Sequence, residues 1–177
     1  MIEIRTIDKA HEADLLLKND PFPLTGFLRP AYTDGVWSYT VERLPEDQVT
    51  SMCFPDEAYD FDSLTAGNAS ALGAYDDGIC AGLILLRPGF FRYMYVENLM
   101  VSAACRRKGV GTQLIRAAAE LAADRGKRGL YLQAQDNNLA ACEFYLRCGF
   151  FIGGLDTQVY AGTSQAGKRD ILFYLDI

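Results

Sequence analysis

The residue types that bind phosphate occur together in one short segment of the sequence. In order, the segment contains Arg106, Arg107, Lys108, Gly109, Val110, Gly111 and Thr112. A run with strand periodicity precedes it and a run with helical periodicity follows it, so the segment is predicted to lie at the start of a helix. Helix N-termini present unpaired backbone N–H groups and the positive end of a dipole, and the glycines let the backbone approach an anion closely. The segment is therefore predicted to bind a pyrophosphate group.

The motif differs from two familiar nucleotide-binding loops. A Walker loop ends in Gly-Lys-Ser/Thr, whereas Lys108 precedes its glycine here. The dinucleotide fingerprint needs a third glycine at the position of Leu114. The backbone amides of residues 107–112 are expected to contact the phosphates, and Arg106 and Lys108 are expected to add positive charge. The alternative is a basic turn that starts a helix without binding a ligand, in which Arg106 and Lys108 are only solvated.

The length and charge of the chain limit its class. Its 177 residues predict a single domain over residues 1–177, which buries about 70% of its unfolded surface. Seventeen basic and 23 acidic residues give a net charge of −6, which argues against a general nucleic-acid binder and weakly favours a cationic ligand. The start of the sequence has no long apolar segment, so we expect no signal peptide, no membrane span and a cytoplasmic location.

The five cysteines do not follow a metal-binding or disulfide pattern. Their number is odd and no C-x-x-C pair occurs, so neither a disulfide framework nor a zinc site is indicated. The sequence therefore predicts buried free thiols and no bound metal.

Hydrophobic periodicity and turn residues predict the elements that must position the phosphate-binding segment. The predicted strands cover residues 2–7, 36–41, 71–75, 79–86, 92–101, 129–135, 150–155 and 170–177, and the predicted helices cover 9–17, 111–124 and 139–147. Asp8 is the predicted N-cap of the first helix, and Asp76-Asp77-Gly78 predicts a hairpin turn. Apart from 36–41, the stretch from residue 18 to about residue 66 is expected to be irregular, because prolines and glycines interrupt its pattern. This order of elements predicts an α/β (α+β) fold with a mixed central sheet and helices on both faces.

Three separate motifs resemble those of the GCN5-related N-acetyltransferases, the GNAT superfamily. They are Arg106, Gly109 and Gly111 in an Arg/Gln-x-x-Gly-x-Gly/Ala turn, Glu97, Leu99 and Val101 in a Glu-x-Leu-x-Val strand, and Asn138, Ala141 and Tyr145 in an Asn-x-x-Ala-x-x-x-Tyr helix followed by Gly149-Phe150. The resemblance extends over most of the chain. It implies the GNAT fold and an enzyme that transfers an acetyl group from acetyl-CoA to an amine.

The resemblance implies catalytic roles for Glu97 and Tyr145. An alkylammonium with a pKa near ~10.4 must lose a proton before its nitrogen can attack, and Glu97 is expected to act as the base, through water. Alternatively, Glu97 binds the substrate ammonium without removing its proton. Tyr145 is expected to protonate the departing CoA thiolate, and its alternative role is that of a core aromatic residue.

The resemblance also implies how acetyl-CoA is bound. The backbone of Met100 and Val101 is expected to pair with the amides of the pantetheine arm, as an added strand would. Asn138 either bonds the pantetheine or caps its own helix. The single histidine, His11, and the single tryptophan, Trp37, are not assigned to the site.

The later part of the chain resembles the streptothricin acetyltransferases in particular. The similar segments are residues 132–138, 145–150, 153–156 and 171–174, together with Tyr160. The resemblance implies that the acceptor is the β-lysine amine of streptothricin, a polycationic antibiotic, and that its acetylation confers resistance. Such a substrate favours an acidic pocket, for which the candidates are Asp56, Glu57, Tyr59 and Asp60, with Asp62 close in sequence. The alternative for these residues is a solvated loop.

Two other functions remain open at this stage. The first is a GNAT acetyltransferase that acts on a peptide or protein N-terminus or on a polyamine. The second is a non-enzymatic acyl-CoA sensor or interaction module, against which the presence of both Glu97 and Tyr145 argues. The resemblance is also compatible with a homodimer.

Overall fold

The computed structural model of the protein describes residues 2–89 and 91–177. Its strands are β1 Glu3–Thr6, β2 Phe22–Leu24, β3 Gly26–Thr33, β4 Val36–Arg43, β5 Thr50–Met52, β6 Ser70–Asp76, β7 Ile79–Pro88, β8 Tyr93–Val101, β9 Gly129–Gln135, β10 Phe151–Asp156 and β11 Asp170–Asp176. Its α-helices are α1 Phe61–Ala66, α2 Val110–Asp124 and α3 Leu139–Arg147, and its 3-10 helices are Lys9–Leu16, Glu46–Gln48 and Ala103–Cys105.

Among the described strands, seven form one mixed sheet. Their order is β1-β6-β7-β8-β9-β11-β10, while β2 pairs with β5 and β3 with β4 in separate two-stranded sheets. The chain passes from β8 to β9 through α2. The predicted fold class, a mixed sheet combined with helices, is confirmed.

The chain divides into two compact units. The first unit consists of the described residues of Met1–Pro21 and Cys53–Leu130, together with Ile177, and the second unit consists of Phe22–Met52 and Tyr131–Asp176. The phosphate-binding segment and Glu97 belong to the first unit, whereas Asn138 and Tyr145 belong to the second.

The first unit packs helix α2 against β6, β7 and β8. The helix buries a stripe at helical spacing, Val110, Leu114, Ile115, Ala118 and Ala122. Full burial of one such large side chain contributes about 1.5–3 kcal/mol. Gly82 on β7 permits the close approach, because a Cβ there would lie 3.1 Å from Cγ1 of Val110 and 3.0 Å from the carbonyl oxygen of Met100. This packing fixes the start of α2, where the phosphate-binding segment lies.

Strand β8 contains a β-bulge at Glu97. Asn98 is the partner of Leu85 on β7, and Val96 is the partner of the next residue, Leu86, so Glu97 is the extra residue between them. A bulge disrupts the ladder locally and redirects the strand and its side chains, and bulges are over-represented beside active sites. The strand that resembles the Glu-x-Leu-x-Val motif is therefore distorted at its glutamate.

The second unit has its own apolar core. Its fully buried residues include Leu28, Leu132, Leu139, Ile171 and Phe173. Strands β10 and β11 pair antiparallel, as do β3 and β4. The N–H of Leu28 donates to the carbonyl oxygen of Asp136 at 2.9 Å, which joins β3 to the turn before α3.

The prediction of an irregular stretch before residue 66 was wrong for most of its length. Strands β2, β3 and β5 and helix α1 lie there, although β4 was predicted. Strand β3 was not predicted because it contains Pro30, and proline is rare inside sheets although it is tolerated at an edge. In its two-stranded sheet, β3 pairs with β4 alone, so Pro30 lies on an edge strand.

Two local predictions need correction. The helix expected at residues 9–17 is a 3-10 helix, Lys9–Leu16, interrupted by a non-helical His11. Its predicted N-cap is confirmed, because the Asp8 carboxylate accepts from the N–H of His11 at 3.1 Å. The cysteines are free as predicted, but Cys53 is exposed whereas Cys142 is buried.

Candidate active site

The segment predicted to bind phosphate, residues 106–112, forms a turn that ends at the start of α2. Gly109 is the N-cap residue of the helix and has a φ of +81°, and Arg107 has a φ of +58°. The N–H of Arg106 bonds the carbonyl oxygen of Ala103, and the N–H of Gln113 bonds that of Gly109. Within residues 2–89 and 91–177, no acceptor is found for the backbone amides of residues 107–112. A row of unsatisfied donors at a helix N-terminus fits a pyrophosphate group.

The side chain of Arg106 holds this turn in place. Its Nε donates to the carbonyl oxygen of Val101 at 3.1 Å, and its Nη1 and Nη2 donate to those of Pro21 and Asp20 at 2.7 and 2.9 Å. These donors are therefore committed to the backbone. Arg106 can contribute charge to phosphate binding, while Arg107 and Lys108 are exposed.

We expect Gly109→Ala to weaken acetyl-CoA binding about tenfold, because a left-handed backbone costs an L-residue about 1–2 kcal/mol and the turn would relax. A Cβ at Gly109 would meet no protein atom within 4 Å. The weaker binding would therefore come from the changed backbone and from a methyl group in the space that the pyrophosphate needs. Gly126→Ala is the matched control, since Gly126 has a φ of +66° and equally open surroundings. Calorimetric titration measures both affinities. An equal loss in the two variants would contradict a role for the turn in binding.

Glu97 forms an ion pair with Arg87 of β7. Nε of Arg87 donates to Oε2 of Glu97, and Nη2 donates to Oε1 at 3.3 Å. The Glu97 side chain is 25% exposed and the Arg87 side chain 37%. The hydrogen bond to Glu97 raises the pKa of Arg87 further above its usual range, so the guanidinium is charged. The carboxylate predicted to act on the acceptor is thus already held by a cation.

Tyr59 lies beside this pair. Nδ2 of Asn98 donates to Oη of Tyr59 at 3.3 Å, and the ring packs against the core of the first unit. Burial raises the pKa of Tyr59, and the nearby charges of Glu97 and Glu57 raise it further. The structure therefore places Tyr59 against Asn98, the residue after Glu97, and the charges of Glu57 and Glu97 both act on its phenol.

The other two predicted acceptor residues, Asp56 and Asp60, form hydrogen bonds with backbone N–H groups of the protein. Asp60 is the N-cap of α1 and accepts from the N–H of Ser63 at 2.8 Å. Asp56 accepts from the N–H of Asn19 at 2.8 Å and pairs with Lys18. These hydrogen bonds lower the pKa of both carboxyl groups. A role for Asp56 and Asp60 in acceptor binding stays a prediction.

In the second unit, Asn138 and Tyr145 lie at the start and near the end of α3. Asn138 caps the helix, since its side chain accepts from the N–H of Ala141 at 3.3 Å. Tyr145 is partly buried, and its ring centroid lies 5.6 Å from that of Phe150 and 5.8 Å from that of Phe173. The capping alternative for Asn138 is thus observed, and a contact with pantetheine stays a prediction.

The second unit also contains a buried polar network that the sequence did not reveal. Oη of Tyr160 donates to Oδ1 of Asp170 at 2.9 Å, and Nε2 of Gln135 donates to Oη of Tyr160 at 2.9 Å. Burial raises the pKa of Asp170 and, to about 12, that of Tyr160. Tyr160 therefore remains protonated as the donor to Asp170.

We expect Asp170→Asn to raise the melting temperature by a few degrees at neutral pH. Because burial raises the folded-state pKa of Asp170, its ionised form destabilises the fold above that pKa. The penalty disappears as the pH falls below the ordinary value of 3.8, so the two proteins should melt alike in acid. Thermal melts across pH measure this, with the exposed Asp47→Asn as control. A difference independent of pH would contradict the assignment.

Residues 2–89 and 91–177 contain no group of three or more histidine, cysteine or acidic residues that could hold a metal ion. No helix in this part of the chain is long and apolar enough to cross a membrane.

The glycine turn, the strand with Glu97 and the helix with Tyr145 carry the three motifs that resemble those of the acetyltransferase (GNAT) family. The model of this family matches residues 33–150, and the chain belongs to it. The protein is therefore an N-acetyltransferase, and its acyl donor is acetyl-CoA.

Particular relatives extend over nearly the whole chain. Streptothricin acetyltransferase A of Bacillus subtilis (strain 168) is 34% identical over 156 residues, which cover 88% of this chain and 89% of the relative. A Bacillus anthracis str. Ames protein assigned as a streptothricin acetyltransferase, solved with acetyl coenzyme A, has a TM-score of 0.86 at 28% identity and covers 100% of this chain and 98% of that one. The structure of nourseothricin acetyltransferase has a TM-score of 0.79 at 27% identity and covers 99% of this chain and 98% of that one.

Sequence reasoning missed Arg87, the partner of Glu97. The sequence did predict a strand at residues 79–86, just before Arg87, and a strand at 92–101 that contains Glu97. The order of these two strands was the one signal that Arg87 could lie near Glu97. The register that brings Arg87 to Glu97 depends on the bulge, and the sequence pattern does not reveal a bulge.

Proposed function

We propose that this N-acetyltransferase acetylates a primary amine of streptothricin, the β-lysine amine, and thereby confers resistance to the antibiotic. The observation that carries the proposal is similarity to streptothricin acetyltransferase A over 88% of this chain. The likeness covers 156 residues, more than the segment 33–150 that the family model matches.

The charge of the first unit supports a cationic acceptor. The charge of Glu57 acts on the phenol of Tyr59, which combines negative charge with an aromatic surface beside the Arg87–Glu97 pair. An ammonium group is attracted by carboxylates and by aromatic faces. The net charge of −6 favours a polycation over an acidic peptide.

The chain has residues for each task in the reaction. When bound, acetyl-CoA supplies an activated acetyl group. The amides of residues 107–112 hold its pyrophosphate, and the backbone of Met100 and Val101 pairs with its pantetheine arm, with Asn138 as a further candidate. Glu97 orients the acceptor amine and accepts its proton through water. Tyr145 donates the proton that the departing thiolate takes up.

The proposal includes two features of the protein in the cell. Streptothricin has to be modified where acetyl-CoA is available, so we place the protein in the cytoplasm. A homodimer is also part of the proposal, and size-exclusion chromatography with light scattering tests it.

A thiol-release assay with acetyl-CoA tests the acceptor. Streptothricin should give turnover, and spermidine and peptides with a free N-terminus should give little. Mass spectrometry of the product should show one added acetyl group on the β-lysine moiety. Preferred turnover of a peptide or a polyamine would replace the proposed acceptor with that amine, and no turnover of any amine would favour an acyl-CoA sensor.

A further inference from the structure

Arg87 and Glu97 form a bidentate ion pair between the neighbouring strands β7 and β8. Register places Arg87 opposite Tyr95, two residues before the bulged Glu97, so the two side chains reach each other diagonally across β7 and β8. Both nitrogens of the guanidinium edge donate to the carboxylate, one to each oxygen. A carboxylate has about four lone-pair sites, and this pairing leaves a site on each oxygen for another donor.

Other groups surround the pair. Tyr59, from the segment before α1, accepts a hydrogen bond from Asn98, which follows Glu97 on β8, and the charge of Glu57 acts on its phenol. Gly67, at the end of α1, also lies close, because a Cβ there would be 3.5 Å from Nη1 of Arg87. Arg87 is the cation paired with Glu97, while Glu57 and the phenol of Tyr59 contribute no positive charge.

The charge of a lone carboxylate would oppose amine acetylation. An opposite charge within about 4–6 Å favours the protonated amine, and the ammonium form has no lone pair with which to attack. A carboxylate that already binds a guanidinium carries no net charge as a pair. It can still accept a hydrogen bond from the amine, but it stabilises the ammonium form much less.

We infer that Arg87 is a positioning residue for acetyl transfer, which fixes the Glu97 carboxylate and cancels its charge so that the acceptor amine reacts in its neutral form. The inference rests on the proposed function and deepens it. The ammonium N–H bond breaks, its proton passes through water at Glu97 to solvent, and the electron pair stays on nitrogen. Arg87 itself transfers no proton.

Substitutions at Arg87 separate its charge from its geometry. Arg87→Gln keeps a hydrogen-bond donor but removes the charge. With acetyl-CoA and streptothricin, we expect kcat near neutral pH to fall about tenfold and the KM for streptothricin to fall. The pH at which kcat reaches half its maximum should move up by about one unit. Arg87→Lys keeps the charge but loses the planar fork, so it should raise KM and preserve the pH profile.

Arg116→Gln is the control, since Arg116 is exposed on α2, and thermal melts verify that every variant is folded. A residue that only stabilised the fold would raise KM or lower activity equally at all pH values. If Arg87→Gln leaves the pH profile of kcat unchanged in a parent that acetylates streptothricin, the inference is overturned while the proposed function stands. If the parent does not acetylate streptothricin, the proposed acceptor fails, and the inference fails with it.

Discussion

Tyr145→Phe is expected to lower kcat for acetyl transfer by about 100-fold near neutral pH. A free thiol has a pKa of about 8.5, so a thiolate that leaves without a proton donor is less stable at neutral pH and the donor accelerates its departure. The benefit should shrink above that pKa. Phenylalanine keeps the ring that packs against Phe144, Phe150 and Phe173, so the fold should be retained.

Steady-state kinetics and calorimetric titration together test this expectation. The Kd for acetyl-CoA should change by less than about twofold, because only a hydroxyl is removed. Tyr39→Phe removes a hydroxyl from an exposed tyrosine on β4 and should leave kcat unchanged. If Tyr145→Phe turned over like the parent, Tyr145 would be a packing residue of α3 and the proton would come from elsewhere.

The long periodic elements of this fold could be predicted from the sequence because their signals are local. Strand β9 and helix α3 have the predicted bounds, 129–135 and 139–147. The predicted hairpin around Asp77 corresponds to β6 and β7. The short elements of residues 22–66 could not be predicted, because β2 and β5 have three residues each and β3 contains Pro30. Strand β2 pairs with β5, with the whole of β3 and β4 between them in the sequence.

The candidate site was predictable where one backbone feature defines it. The glycine turn needs a left-handed residue at a helix start, and Gly109 supplies it at a φ of +81°. The acidic segment was less predictable, because an aspartate that precedes a helix can be either a ligand or a cap. Asp60 is an N-cap that accepts from the N–H of Ser63, and no helix was predicted after it.

The Arg87–Glu97 ion pair could not be predicted from the sequence, although both residues can be read from it. Arg87 was one basic residue among 17, and Glu97 was assigned without a partner. Cross-strand partners depend on register, and a bulge shifts register by one residue. The charge at the proposed acceptor site could therefore be described only from the structure.

Glu97→Gln is expected to lower kcat/KM for streptothricin by about 100-fold near neutral pH, and by much less as the pH approaches ~10.4. Near neutrality nearly every acceptor amine is protonated, so a group that orients the amine and takes up its proton has its largest effect there. At high pH the amine loses its proton to solvent unaided. Glutamine has almost the shape of glutamate and can still accept from Arg87, so the bulge in β8 should persist.

A pH–rate comparison with the parent measures this effect, and the exposed Glu120→Gln on α2 is the control for loss of one acidic charge. A loss of the same factor at every pH would mean that Glu97 binds the acceptor without affecting its proton. In that case Arg87→Gln should also leave the pH profile unchanged, because both predictions depend on the proton of the same amine. Loss of a partly exposed ion pair changes stability by only about 1 kcal/mol or less, so unfolding would not account for a 100-fold effect.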